Sequence, residues 1–220
     1  IMLIPMWAQH KVKSNYEKYS QVRSTSGKTG REVAEEILHA NGIYDVDVVK
    51  GEGFLTDHYD PNKKVVCLSP ANFDRPSVAG TAIAAHEVGH AIQHQQGYAF
   101  LRFRTALVPL ANIGSSLSYI IIMAGIFLTA LGSAFGSTAL WIGAGLMSLA
   151  VLFSIVTLPV EFDASSRAMK QITALNIVNE KEYKHARKVL SAAAMTYVAA
   201  TATAVAELVR IILLARASDN

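Results

Sequence analysis

Cysteine is almost missing from this chain. Cys67 is the only one in 220 residues, so no intramolecular disulfide can staple the fold. It sits in the strand-like run 63–69, where a small buried hydrophobe fits. Charge is scarce as well. Asp, Glu, Lys and Arg make up 17% of the residues against 51% hydrophobic, and the mean hydropathy is +0.28. That is too apolar for an ordinary soluble domain. The net charge of +3 gives no reason to expect nucleic-acid binding. There is no internal repeat and no low-complexity tract.

Two stretches lack charge altogether. Residues 111–132 and 138–158 are each long enough to span a bilayer, and residues 133–137 form a short hairpin between them. Pro159-Val160-Glu161 is expected to end the second run abruptly. A weaker third span runs from about Ala192 to Leu214, rich in Ala and Thr. Its small residues Ala192, Thr196, Ala200 and Ala204 suit close helix packing, and Glu207 and Arg210 can pair locally. Residues 1–9 read as the remnant of a further, N-terminal membrane helix. A signal peptide fits less well, because its basic residues would precede the apolar stretch and here they follow it.

Positive charge is absent from the hairpin. Every Lys and Arg except Arg210 and Arg216 lies between 11 and 104 or between 167 and 188. The positive-inside rule then puts both polar blocks in the cytoplasm, on one side of the membrane.

The first polar block mixes helix and strand. Thr29-Gly-Arg-Glu32 is a capping box that opens an amphipathic helix to about Ala40, and Asn41-Gly42 stops it. Strands are expected over 43–49 and 63–69, with a short strand or loop at 54–61. Residues 69–76 read as a loop. Ser77 can cap the next helix, which Gly97-Tyr98 interrupts before a further helical stretch.

That helix carries His86-Glu87-Val88-Gly89-His90. Two histidines four residues apart lie one turn apart on one helix face, where both imidazoles can reach one metal ion. Glu87 projects from a neighbouring row and can hold and deprotonate a water. This is the H-E-x-x-H pattern of zinc proteases. Catalytic zinc usually has three protein ligands and an open position. His94 is about 12 Å of helix rise from His86, too far to join the pair. Gln93 and Gln96 stand where a metzincin needs Gly and His, which excludes that class. A carboxylate from a later helix remains. Glu161, at the exit of the second span, is the best candidate; an ordinary interfacial carboxylate is the alternative. Asp163 fits hydrogen-bond support of a ligand better than ligation. Glu180 and Glu182 lie among basic residues, on what reads as a solvated face. Asp57, His58 and Tyr59 can supply a transition-state donor or a supporting acceptor, or simply end a strand. The 63–69 strand could offer an edge to an extended substrate.

These residues resemble the YugP-type neutral zinc metallopeptidases, a family of bacterial membrane proteins. The resemblance runs through Lys11-Val-Lys-Ser14, Leu55-Thr-Asp-His-Tyr-Asp-Pro61, Ala85-His-Glu-Val-Gly-His-Ala-Ile-Gln-His94, Gln96-Gly-Tyr98, Leu158-Pro-Val-Glu-Phe162 and Ala192-Ala-Ala-Met-Thr-Tyr-Val-Ala-Ala200. It implies Zn2+ held by His86 and His90, with Glu87 as general base, and it favours Glu161 as third ligand. After Glu-Phe the family more often has Asn-Ala-Ser-Arg; this chain has Asp163-Ala-Ser-Ser166, so the role of position 163 stays open.

The expectation is a mainly α membrane protein with a small cytoplasmic α+β, zincin-like part. Its divisions are 1–9, a zincin-like 10–110, a membrane hairpin 111–158, a cytoplasmic helical 159–190 and a last span 191–215. It would cut peptide or protein substrates at the cytoplasmic face of the bacterial cell membrane. A site-2-type intramembrane protease is the nearest rival, but it would use an Asp-Gly motif and the chain has none. A non-catalytic scaffold with a closed structural metal is the other.

Overall fold

The computed structural model describes residues 3–219. The elements are α1 (Leu3–Ser20), α2 (Gly30–Ala40), β1 (Asp47–Lys50), β2 (His58–Asp60), β3 (Val65–Leu68), α3 (Pro70–Asp74), α4 (Val78–Gln95), α5 (Ala99–Ala130), α6 (Phe135–Ala174) and α7 (Glu180–Ser218). They divide into two compact units, one of residues 6–101 and 159–196, the other, among the described residues, of 3–5, 102–158 and 197–219. Of the expected N-terminal membrane remnant, residues 1 and 2 lie outside the described residues and the rest belongs to α1.

The first unit is a three-stranded sheet against helices. The strand order is β1-β3-β2, with β1 parallel and β2 antiparallel to β3. β3 is therefore central. The 63–69 strand has a neighbour on each side and offers no edge, contrary to expectation; β2 forms one of the sheet's two edges. β-Branched Val48, Val49, Val65 and Val66 suit these strands. The core joins Val33, Ile37 and Leu38 of α2, Val66 and Leu68 of β3, Val78, Val88 and Ile92 of α4, and Ala168 and Ile172 of α6. Each large aliphatic buried there contributes about 1.5–3 kcal/mol.

Local signals set the helix starts. Thr29 and Glu32 exchange the expected capping-box bonds: Thr29 N–H donates to Glu32 Oε2 at 2.7 Å and Glu32 N–H to Thr29 Oγ1 at 3.3 Å. Ser77 Oγ accepts from Gly80 N–H at 3.0 Å and caps α4.

Residues 69–76 are not all loop, because Pro70 starts the single-turn α3. Pro159 does not end the second span; α6 runs through it to Ala174. One proline removes one backbone hydrogen bond, a loss that long apolar helices tolerate. Glu182 is buried, not solvated: it accepts from Thr25 N–H and Thr25 Oγ1, both at 2.7 Å, and from Asn179 N–H at 3.1 Å, at the start of α7.

The second unit is helical. Among the described residues, α5, α6 and α7 are the helices long and apolar enough to cross a membrane. Glycine lets α5 and α6 approach closely: a Cβ on Gly114 would meet Leu146 O at 2.6 Å, and one on Gly143 would meet Ile122 Cγ1 at 2.5 Å. Arg210 and Glu207 form the expected local ion pair, with Nε 3.1 Å from each carboxylate oxygen.

Candidate metal centre

α4 presents His86 and His90 on one face, as their spacing requires. The segment of α6 that belongs to the same unit brings Glu161 against them. Glu161 Oε2 lies 3.3 Å from His86 Nε2 and 3.6 Å from His90 Nε2. One donor atom from each of the three residues lies within 4.8 Å of the other two.

The approach of the helices depends on the residue between Val88 and His90. A Cβ on Gly89 would stand 2.6 Å from Ala164 O of α6. Gly89→Ala is therefore expected to push α6 from α4 and spread the donor set. Overpacking of this kind costs about 1–3 kcal/mol, and we expect zinc affinity to fall by about 10–100-fold, as when a ligand loses its support. Thermal unfolding and zinc titration of the purified variant check both.

Each imidazole is fixed from behind. Gln93 is fully buried on α4, and its Nε2 donates to Val160 O and to Asp163 Oδ2, both at 2.8 Å. Those two acceptors set the orientation of the amide. Its Oε1 then faces His90 Nδ1 at 3.0 Å and can only accept, so Nδ1 carries a proton and Nε2 is the nitrogen turned towards Glu161. Ser165 Oγ lies 3.2 Å from His86 Nδ1. Arg167 Nε donates to Asp163 and its Nη1 donates to Gln96 Oε1.

Neither Gln93 nor Ser165 figures among the candidates read from the sequence. The available signal was spacing: Gln93 is three residues after His90 and shares its face of α4, and Ser165 is four after Glu161 and shares its face of α6.

The remaining candidates are distributed as follows. Asp163 reaches His90 through Gln93. Asp57 does not bond to either histidine; it accepts from Ser69 N–H at 2.8 Å and from Ser69 Oγ and Asn72 Nδ2, tying the chain before β2 to the start of α3. His58 is exposed and pairs its Nδ1 with Thr56 O at 2.8 Å. Tyr59 shares a 2.8 Å hydrogen bond with His94 Nδ1 on the last turn of α4. Burial, with Asp45 and Asp60 nearby, pushes the Tyr59 phenol up to about 12, so it stays neutral at physiological pH.

Two observations make this group fit a cation. Glu161 is buried, yet its Oε2 carries no hydrogen bond among the described residues. A buried carboxylate oxygen without a partner is costly unless a positive charge faces it. The donor chemistry agrees, since two imidazoles and one carboxylate form a common set for hydrolytic zinc. Glu87 is buried beside them, and burial pushes its carboxyl above the ordinary range despite the nearby histidines.

Apolar helices of membrane-crossing length and a His–His–Glu donor set define the class: a membrane protein with the ligand chemistry of a metallopeptidase. A family model described as "Putative neutral zinc metallopeptidase" matches residues 1–216, and the chain belongs to that family. It is 44% identical over 211 residues to a Bacillus subtilis (strain 168) protein named "Putative membrane protease YugP", covering 96% of this chain and 91% of that one. No solved structure matches it.

Proposed function

We propose that the chain is a membrane-embedded zinc endopeptidase whose active site lies at the cytoplasmic membrane face. His86, His90 and Glu161 would hold the metal. The observation that carries this reading is the unbonded, buried Glu161 Oε2 facing the two Nε2 atoms. When bound there, zinc supplies Lewis acidity, activating water near neutral pH and polarising the scissile carbonyl.

The chain's own groups supply the rest. Glu87 takes the proton of the attacking water and delivers it to the leaving amine. Its raised affinity for protons, caused by burial, suits both halves of that task. Gln93 and Ser165 hold the imidazoles with their Nε2 atoms inward. The edge strand β2 offers main-chain groups to an extended peptide by strand addition, the part first assigned to 63–69.

Chelation tests the metal requirement. Peptide cleavage by the purified, membrane-reconstituted protein should vanish with a zinc chelator and return on adding about one zinc per chain. Full activity in the metal-free protein would refute the reading. The cytoplasmic placement is supported by the distribution of Lys and Arg. A cysteine placed at exposed Lys63, with Cys67→Ala, should react with a membrane-impermeant maleimide in inverted vesicles and not in intact cells; the opposite pattern would reverse the topology.

A further inference from the structure

A groove of about 910 Å³ runs between α6 and α7 within the first unit, apart from the donor set. Its walls are antiparallel, because residues 175–179 turn the chain back. Polarity changes along it. At one end stand Phe162 of α6 and Met195 of α7, both exposed. Further along stand Lys170 and Arg187, each eight residues away on its helix, about 12 Å of rise, with Thr173, Ala174 and Tyr183 beyond them. Both cations are exposed, neither has an acidic partner among the described residues, and no Asp or Glu lines the groove. The apolar end is the one closer in sequence to the uncharged spans.

Ser165 lies in the wall, and it touches His86 at Nδ1, the nitrogen turned away from Glu161. The groove therefore sits behind His86, not on the side where a scissile bond would meet the metal.

We propose that this groove binds one anionic phospholipid, its phosphate between Lys170 and Arg187 and an acyl chain along Met169 towards Phe162 and Met195. Two unpaired cations complement a headgroup phosphate, and basic pockets between membrane helices are suited to anionic lipids. The length and the polar-to-apolar gradient match an amphiphile entering from a bilayer. A soluble anion would use only the cationic end.

Native mass spectrometry of the full chain, released from nanodiscs of equal phosphatidylglycerol and phosphatidylcholine, tests this. One phosphatidylglycerol should be retained in preference to phosphatidylcholine. Each surface cation contributes about fivefold to attraction of an anionic lipid, so Lys170→Gln with Arg187→Gln should lower retention by about 25-fold. Lys184→Gln with Lys188→Gln, a matched change on α7 outside the groove, should leave it unchanged. Glycerol phosphate, which has the headgroup chemistry without the acyl chain, should not displace the lipid at equal concentration. Equal retention of the two lipids, an equal loss in the Lys184/Lys188 variant, or displacement by glycerol phosphate would each overturn the proposal.

Discussion

Glu87→Gln should leave the protein folded and loaded with zinc, and should lower peptide cleavage by about 10²–10⁴-fold or more, the range that general acid–base catalysis supplies. The amide keeps the shape of the side chain but cannot take a proton from water. Metal loading should persist, because the clustered donor atoms come from His86, His90 and Glu161 and not from Glu87. Stability gives an independent check. Burial raises the Glu87 carboxyl above its ordinary range, so in the metal-free chain its ionisation at neutral pH costs the fold free energy. That penalty is absent below the unfolded carboxyl's range and grows as pH rises above it. The amide removes it, so the metal-free variant should unfold at or above the wild-type temperature at pH 7. A variant that is inactive because it is unfolded would fail this test. One that cleaves at wild-type rate with full metal would remove Glu87 from the mechanism.

Glu161→Ala should act at the earlier step of metal capture. Loss of an outer support of a ligand costs about 10–100-fold in affinity, and loss of a ligand itself should cost more. With two imidazoles left, zinc should fall below stoichiometric loading at micromolar concentration, and cleavage should fall with it. Equilibrium dialysis against zinc reads the first effect, and activity restored only at much higher zinc reads the second. Asp163→Ala is the useful contrast. It removes an acceptor of Gln93 and leaves all three donor atoms in place, so it should weaken zinc binding less than Glu161→Ala.

The sequence revealed features whose cause is local. The capping box at Thr29 and the Ser77 cap need only a few neighbouring residues, and both formed as read. The uncharged runs announced the apolar helices, because every residue in a span meets the same solvent. The histidine pair was legible from its spacing alone. What failed depended on partners far along the chain. Asp57 bonds residues 12 and 15 positions on, and no local pattern marks that pairing. Glu182 looked solvated among lysines, but it is buried by Thr25, 157 residues away. The local habit of Pro159 is to break a helix, and the continuous α6 overrides it. Gln93 departs from the metzincin glycine, and its spacing from His90 allows the hydrogen bond that the structure contains.

The central claim is that one zinc ion sits among His86, His90 and Glu161 with a coordination position left open. A crystal structure of the zinc-loaded protein, with anomalous data collected across the zinc edge, tests it most directly. One anomalous peak within about 2 Å of His86 Nε2, His90 Nε2 and a Glu161 oxygen, with no fourth protein ligand, is the predicted result. A peak elsewhere, or a site closed by a fourth side chain, would contradict the account and favour a structural metal in a non-catalytic scaffold.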